Sequence, residues 1–175
     1  MPYWYYTYDI EGKASMNEAK LFTVCTSHRV EVEYKAEMKG FYQDASSSFA
    51  DELSDAIKPF DTALKKDVSP AYLSGFYADC PDTVPEIYTG RLRSIVEEVV
   101  DSKVRNVEVF SKYQSEYLDT GVNAAIQLQE PQVAMLPVWF LSYKKGERNA
   151  YATINGQTGR LSMDVPVDYK KFFIG

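Results

Sequence analysis

The sequence contains few of the residues that build common catalytic and metal sites. Its 175 residues include two cysteines, Cys25 and Cys80, and one histidine, His28. Two cysteines are too few for a disulfide framework, and neither stands in a paired metal-ligand spacing. We therefore expect reduced, packed thiols in a reducing compartment. We predict no metal, no cofactor and no catalytic residue.

The chain also lacks long uncharged stretches. No run reaches the roughly 18 apolar residues that a membrane-spanning helix needs. The aromatic opening segment, residues 2–8 (PYWYYTY), has neither the charged start nor the aliphatic centre of a signal peptide. We therefore expect the chain itself to be soluble and cytoplasmic.

Positive charge is scarce as well, since 19 basic residues oppose 25 acidic ones and the net charge is −6. Nonspecific nucleic-acid binding requires clustered Lys and Arg, so we expect no nucleic-acid partner. The charge is unevenly distributed along the chain. Residues 134–175 contain six basic and three acidic residues, which makes this end locally positive and leaves the excess of negative charge on residues 1–133.

What the sequence does contain is apolar and aromatic material for a core. It is 45% hydrophobic and 14% aromatic, with 14 tyrosines, which argues against disorder. A chain of this length can bury a core without disulfides or metals. We predict a single α+β domain over residues 1–175, with the alternative that two lobes, 1–80 and 81–175, share one core.

The clearest fold signal lies between residues 136 and 165. The apolar run 136–141 (LPVWFL) predicts a strand, 144–147 (KKGE) a turn, and 151–154 a second strand. The loop 155–159 (NGQTG) contains two glycines three positions apart, and Asn and Thr side chains can hydrogen-bond local backbone. It therefore predicts a tight reversal into a third strand, residues 160–165.

Two further strand signals occur near the start of the chain. Residues 3–10 are rich in aromatics without helical spacing, so they predict a strand that ends in a turn at 11–13 (EGK). A second β region covers residues 21–24 and 29–34. Within 29–34, apolar residues alternate with acidic ones in the period-two pattern of a half-buried strand.

A first helix is predicted after residue 48. The three serines at 46–48 offer an N-cap, and Phe49, Leu53 and Ile57 fall on one helical face. Pro59 should end this helix, because proline cannot continue the backbone hydrogen bonds.

The strongest helix signal follows residue 83. Thr83 and Glu86 have the spacing of a capping box, and the pattern continues to about Lys103. One helical face contains only apolar or aromatic residues, namely Val84, Tyr88, Leu92, Ile95, Val96 and Val99.

The remaining segments give weaker signals. The aromatic segment 70–77 contains Gly75, which suggests a bend, and predicts either a strand or irregular structure. Residues 104–128 predict two strands with a turn at 119–121 (DTG). The predicted class is therefore α+β, with mostly antiparallel sheet, two main helices and a C-terminal β-meander.

Several segments recur in the same order in a bacterial family. They are residues 56–61 (AIKPFD), 71–76 (AYLSGF), 136–141 (LPVWFL), 155–159 (NGQTG) and 165–167 (VPV). On these segments the chain resembles the bacterial TFIIB-type zinc-ribbon-containing proteins. The strand, turn, strand and Thr158-Gly159 pattern is also similar to PepSY-like hairpins, a similarity of geometry and not of function.

The resemblance implies a position within a longer protein and does not imply a catalytic activity. In such proteins a zinc ribbon usually precedes a domain like this one, a transmembrane segment often follows it, and there are no catalytic residues to transfer. This chain lacks the CxxC pairs of the ribbon. We therefore expect residues 1–175 to be the region that follows the ribbon, in the middle of a longer protein.

Few residue pairs could carry catalysis. Cys25 and His28 suggest a thiol with its base or two metal ligands, but residues three apart on a strand point to opposite faces. Glu97 and Glu98 could form a carboxylate pair, but neighbours on a helix point about 100° apart. We favour structural roles for all four residues. His28 is also the only candidate for a serine triad, and no nucleophile elbow is present.

Other clusters have equally plain interpretations. Asp51, Glu52 and Asp55 on the first helix could hold a cation, but a solvated acidic face is far commoner. The tyrosines could line a ligand groove or fill a core whose hydroxyl groups reach polar partners, and we favour the core.

Two function hypotheses follow. The first is a non-catalytic binding or assembly module, cytoplasmic and membrane-proximal, for an unknown protein or small-molecule partner. The second is an enzyme of unrecognised type with a tyrosine-rich pocket. A deep pocket that holds His28 and two carboxylates would favour the enzyme, whereas a shallow surface with exposed aromatic residues would favour the module.

Overall fold

The computed structural model describes residues 1–19, 27–48, 50–107, 119–145 and 148–163 of the chain. These residues form seven strands and three helices. In chain order the elements are β1 (Pro2–Ala19), β2 (Ser27–Asp44), α1 (Asp51–Ala56), α2 (Pro70–Leu73), α3 (Glu86–Arg105), β3 (Asp119–Leu128), β4 (Gln132–Met135), β5 (Val138–Lys145), β6 (Arg148–Asn155) and β7 (Leu161–Met163). The predicted α+β class is confirmed, and β1 with β3, β1 with β4, β5 with β6 and β6 with β7 all pair antiparallel.

The chain divides into two compact units. The first consists of Met1–Tyr5, Tyr42–Val84 and Gln132–Gly175, and the second of Tyr6–Phe41 and Pro85–Pro131. Each unit draws on both halves of the sequence. Strands β1 and β2 contribute residues to both units.

The second unit is a sheet with one long helix. Within it β1 lies between β2 and β3, and the β1–β3 register runs from Tyr8 opposite Leu128 to Asn17 opposite Asp119. Helix α3 contacts β3. Its buried side chains recur every fourth residue and form one stripe, Leu92, Val96, Val100 and Val104. A valine buried in this way stabilises the fold by roughly 1.5–3 kcal/mol.

Two turns predicted in this unit are wrong. Residues 11–13 lie within β1, and residues 119–121 lie within β3, where they pair with residues 15–17 of β1. Gly12 has a packing role instead of a turn role, because a Cβ atom there would lie 2.3 Å from the carbonyl oxygen of Asn123 and 2.5 Å from the Tyr34 ring. A glycine inside a strand can mark close approach by a neighbour.

Helix α3 confirms the strongest helix prediction but not its cap. It begins at Glu86 after an N-cap at Pro85, with no side-chain cap hydrogen bond. The Thr83 hydroxyl accepts a hydrogen bond from Trp4 Nε1 at 3.3 Å instead. Val84 and Ile95, predicted on the apolar face, are 58% and 36% exposed. Val84 precedes the helix, and Ile95 lies beside the buried stripe, whose residues are four positions apart.

The first unit has an aromatic core. Its buried cluster contains Tyr3, Tyr5, Tyr42, Ile57, Phe60 and Leu136. The rings of Tyr3 and Tyr42 pack edge to face with centroids 5.8 Å apart. Ser54 Oγ donates to the Tyr3 hydroxyl at 2.8 Å, and the Phe60 N–H donates to the Tyr42 hydroxyl at 2.5 Å. The core interpretation is therefore correct for these tyrosines, because their rings are buried and their hydroxyl groups have polar partners.

The first helix is shorter than predicted and is capped differently. Helix α1 has its N-cap at Ala50, without a side-chain cap hydrogen bond. The serines before it bind distant carboxylates, so they are not caps. Ile57 is fully buried and Leu53 partly buried, as the predicted apolar face requires. Phe49 lies outside the described residues.

The segment 70–77 contains a helical turn, which was not among the predicted alternatives. Helix α2 covers only Pro70–Leu73, with proline in its first turn, where the missing N–H costs nothing. Gly75 follows with φ +84°, which confirms the predicted bend.

The C-terminal meander is confirmed as a three-stranded antiparallel sheet in the order β5-β6-β7. The reversal at residues 155–159 is also confirmed, since the Gly159 N–H donates to the Asn155 carbonyl at 2.8 Å and Gly159 has φ +73°. Asn155 is fully buried, and its Nδ2 donates to the carbonyl oxygens of Ile57 and Pro59. The predicted strand at 21–24, residues 146–147 and residues 164–165 lie outside the described residues.

Candidate functional site

An open groove of about 830 Å³ lies in the first unit. Part of its wall is the segment between α1 and the loop after α2, and another part is β4 with the residues that lead into β5. Met1, Tyr5 of β1 and Gln157 of the β6–β7 reversal also line it. Gln157 connects two of these segments, because its Oε1 accepts the Asp61 N–H at 2.7 Å and its Nε2 donates to the Asp61 carbonyl at 3.2 Å.

The α2 wall presents aromatic side chains to solvent. Tyr72 is 60% exposed, Phe76 66% and Tyr77 90%. Helix α2 is a single turn, and Gly75 redirects the chain after it. Phe76 also meets Trp139 of β5, with ring centroids 6.5 Å apart. Clustered exposed apolar groups of this kind mark interaction sites.

The charged side chains of the groove are balanced. Lys65 and Lys66 line it together with Asp61 and Asp67. Lys65 Nζ lies 3.6 Å from the centroid of the buried Tyr5 ring, a cation–π contact. This contact holds the 61–69 loop against the core. The balance favours an apolar or uncharged ligand over a strongly charged one.

A second cluster, of serines and carboxylates, orders loops in the same unit. Ser46 Oγ donates to Asp79 Oδ2 at 2.6 Å, and the Ser47 N–H donates to Asp82 Oδ1 at 2.6 Å. The Ser46 hydroxyl lowers the pKa of Asp79, and the Ser47 hydroxyl lowers that of Asp82, since both donate to the ionised form. These bonds tie the segment before α1 to the segment before α3.

Asp44 is the buried carboxyl group of this cluster. It is 2% exposed, and burial raises its pKa to about 6. Oδ1 accepts the Ser46 N–H at 2.9 Å, whereas Oδ2 has no hydrogen-bond partner in the described part of the chain. Among the described residues no group of three or more His, Cys, Asp or Glu side chains could hold a metal ion.

The residues weighed for catalysis are not brought into one site where the structure describes them. Glu97 accepts a hydrogen bond from Arg93 Nε at 3.0 Å on the exposed side of α3, and Glu98 is also exposed. Cys80 is a free thiol, but it is exposed, so the expected packing is wrong for this cysteine. Cys25 lies outside the described residues, and of His28 only the position in β2 is described.

The acidic residues of α1 also have ordinary surroundings. Asp55 forms an ion pair with Lys58, with 2.6 Å between Oδ1 and Nζ. Asp51 and Glu52 are exposed in the first turn, where carboxylates stabilise a helix. This is the solvated acidic face that the sequence indicates.

The groove residues were missed as a site by sequence reasoning. The only signal was the local density of aromatic residues around Gly75, which singles out 70–77 without showing which rings are exposed. Within the described residues, no helix is long and apolar enough to cross a membrane.

Comparison with known proteins gives one similarity. The chain is 30% identical over 134 residues to the uncharacterised protein YdjG of Bacillus subtilis (strain 168). The match covers 73% of this chain but 37% of YdjG, so the chain spans little more than a third of that relative's length. No family model and no solved structure match the chain.

Proposed function

We propose that this chain is a non-catalytic binding or assembly module that holds a partner in the groove of the first unit. The observation that supports this proposal is the exposed wall of Tyr72, Phe76 and Tyr77 beside the open groove. When a partner covers side chains this exposed, the removal of apolar surface from water stabilises the complex. Full burial of one large apolar side chain contributes roughly 1.5–3 kcal/mol.

The groove suits a binding role because its walls are already held in place. The Lys65 ammonium contacts the buried Tyr5 ring, and the backbone of Asp61 is hydrogen-bonded to the Gln157 side chain. Binding therefore requires little ordering of the 61–69 loop, which lowers the entropic cost of association. The exposed rings can then act as anchors, since aromatic residues dominate interface hot spots.

The setting that we propose is cytoplasmic and membrane-proximal, within a longer protein related to the TFIIB-type zinc-ribbon-containing proteins. The greater length of YdjG supports a longer chain. The positive charge of residues 134–175 supports proximity to anionic headgroups. The three-stranded sheet is compatible with the PepSY-like hairpin suggested by the sequence.

The test compares two exposed apolar residues of the same unit. In Phe76→Ser a groove anchor is lost, whereas in Val84→Ser a residue that is 58% exposed and does not line the groove is changed. Full-length protein tagged in its native host should retain a partner in wild type and in Val84→Ser, and lose most of it in Phe76→Ser. All three proteins should melt at similar temperatures. Equal retention by the two variants would show that the groove is not the binding site.

A further inference from the structure

Among the described residues, one edge of β4, a strand that lines the groove, has no partner strand. Along its other edge β4 pairs with β1, with Ala134 opposite Tyr3 and Gln132 opposite Tyr5. The Leu136 N–H donates to the Met1 carbonyl at 2.9 Å. Antiparallel pairs alternate between hydrogen-bonded and non-hydrogen-bonded residues, so Gln132 and Ala134 also bond to β1.

The alternation fixes where the other backbone groups point. The N–H and C=O groups of Val133 and Met135 face away from β1. Among the described strands, none other than β1 pairs with β4, and no hydrogen bond of these four groups to another described residue is present. Val133 and Met135 both line the groove.

An open strand edge is a template for another strand. Leu64, Tyr72 and Phe76 line the same groove as β4 and are 74%, 60% and 66% exposed. The edge offers regularly spaced donors and acceptors, and these three side chains offer apolar surface. An extended polypeptide satisfies both, because its backbone bonds to the edge while alternate side chains enter the groove.

We propose that the groove binds an extended, uncharged segment of a partner polypeptide, which adds to the sheet as a strand along β4. Its backbone bonds to Val133 and Met135, and alternate apolar side chains pack against Tyr72 and Phe76. Because β4 has four residues, the added segment spans about 13 Å. The balanced lysines and aspartates of the groove match an uncharged segment. The proposal rests on the groove being the binding site.

Strand addition can be tested by removing one outward-facing donor. In Val133→Pro the N–H at the open edge is lost, and the bonds of Gln132 and Ala134 to β1 are kept, because edge strands tolerate proline where the N–H faces outward. Val133→Thr is the matched control, since it keeps the N–H and the β-branched shape. Both variants should melt close to the wild-type temperature.

The probe is a library of random 12-residue peptides, selected on the wild-type chain. Selected peptides should bind Val133→Thr with nearly wild-type affinity and Val133→Pro at least tenfold more weakly. In a synthetic selected peptide, N-methylation at successive positions should weaken binding at every second position, because only alternate amides face the edge.

The outcomes separate the two proposals. Peptides that bind Val133→Pro as well as wild type but lose affinity for Phe76→Ser would overturn strand addition and leave the groove as the site. Peptides insensitive to both substitutions would overturn both proposals. A helical ligand would lack the period-two N-methylation pattern, which would also overturn strand addition.

Discussion

Gly12 lies in the middle of β1, opposite Ala124 and beneath the ring of Tyr34. A methyl group there would meet the Asn123 carbonyl oxygen, which is part of the ladder and cannot rotate away. Gly12→Ala should therefore reduce the free energy of unfolding by about 1–3 kcal/mol, measured by urea denaturation.

Gly90 provides the control. It lies on the exposed side of α3, and no atom lies within 4 Å of the position of its missing Cβ. Gly90→Ala should increase stability by roughly 0.5–1 kcal/mol, because alanine loses less backbone freedom in a helix. If Gly12→Ala were as stable as wild type, the close approach of Asn123 and Tyr34 would be incorrect.

Asp44 makes stability depend on pH in an unusual direction. Its folded-state pKa of about 6 lies above the unfolded value of about 3.9. The folded state therefore binds more protons between these values, and the contribution of Asp44 to stability falls as pH rises from about 4 to about 6. Because the two pKa values differ by about 2, the resulting loss of folding free energy is roughly 3 kcal/mol.

Asp44→Asn should remove this dependence while its Oδ1 still accepts the Ser46 N–H. We expect the variant to match wild type near pH 4 and to exceed it by roughly 1–3 kcal/mol at pH 7.5, measured by urea unfolding. Asp79 and Asp82, whose pKa values are lowered, contribute with the opposite sign in both proteins and cancel in the difference. A stability difference that does not change with pH would contradict the assignment.

Helix α3 contains adjacent residues of different burial, which allows a direct comparison. Val96 is fully buried in the stripe that faces the sheet, and Ile95 is 36% exposed beside it. Val96→Ala should cost about 2 kcal/mol through lost burial and a residual cavity. Ile95→Ala should cost under about 1 kcal/mol, although isoleucine loses more methylene groups. Thermal unfolding of the two variants checks this order, and the reverse order would mean that the helix is rotated.

Elements defined by local periodicity could be predicted from the sequence. The meander and α3 were predicted because apolar spacing and turn residues agree over more than ten positions. Glycine was the recurrent source of error. Gly159 sits in a reversal, as predicted, whereas Gly12 and Gly121 lie within strands. A glycine has the same sequence signature whether it permits a positive φ or close packing, and only tertiary contacts distinguish the two.

Helix caps and the groove depend on residues far apart in the chain. Ser46 and Ser47 bind carboxylates more than 30 positions away instead of capping α1. Whether Tyr42 or Tyr72 is buried is likewise decided by which segments meet them, because each tyrosine has an apolar neighbour in the sequence, Phe41 or Leu73. The groove could therefore not be predicted from the sequence. The aromatic character of segment 70–77, which contributes to its wall, is visible in the sequence, but the exposure of its rings is not.

The chain covers 37% of YdjG. Its sequence places Lys170 and Lys171 directly before Phe172, Phe173 and Ile174. Basic residues that flank a membrane-spanning helix mark its cytoplasmic side, and a lysine beside anionic headgroups gains about 1 kcal/mol. This order of residues motivates the membrane-proximal part of the proposed function.

We expect the full-length protein to pellet with membranes and to resist protease added outside intact cells. Residues 1–175 alone should bind vesicles containing anionic lipid only weakly, because two lysines and three apolar residues form a poor anchor. Lys170→Glu with Lys171→Glu should abolish that weak binding without changing the melting temperature. A full-length protein that stays in the soluble fraction would contradict membrane proximity. Peptide binding in the groove would be unaffected by that result, because Val133, Tyr72 and Phe76 act through contacts within the first unit.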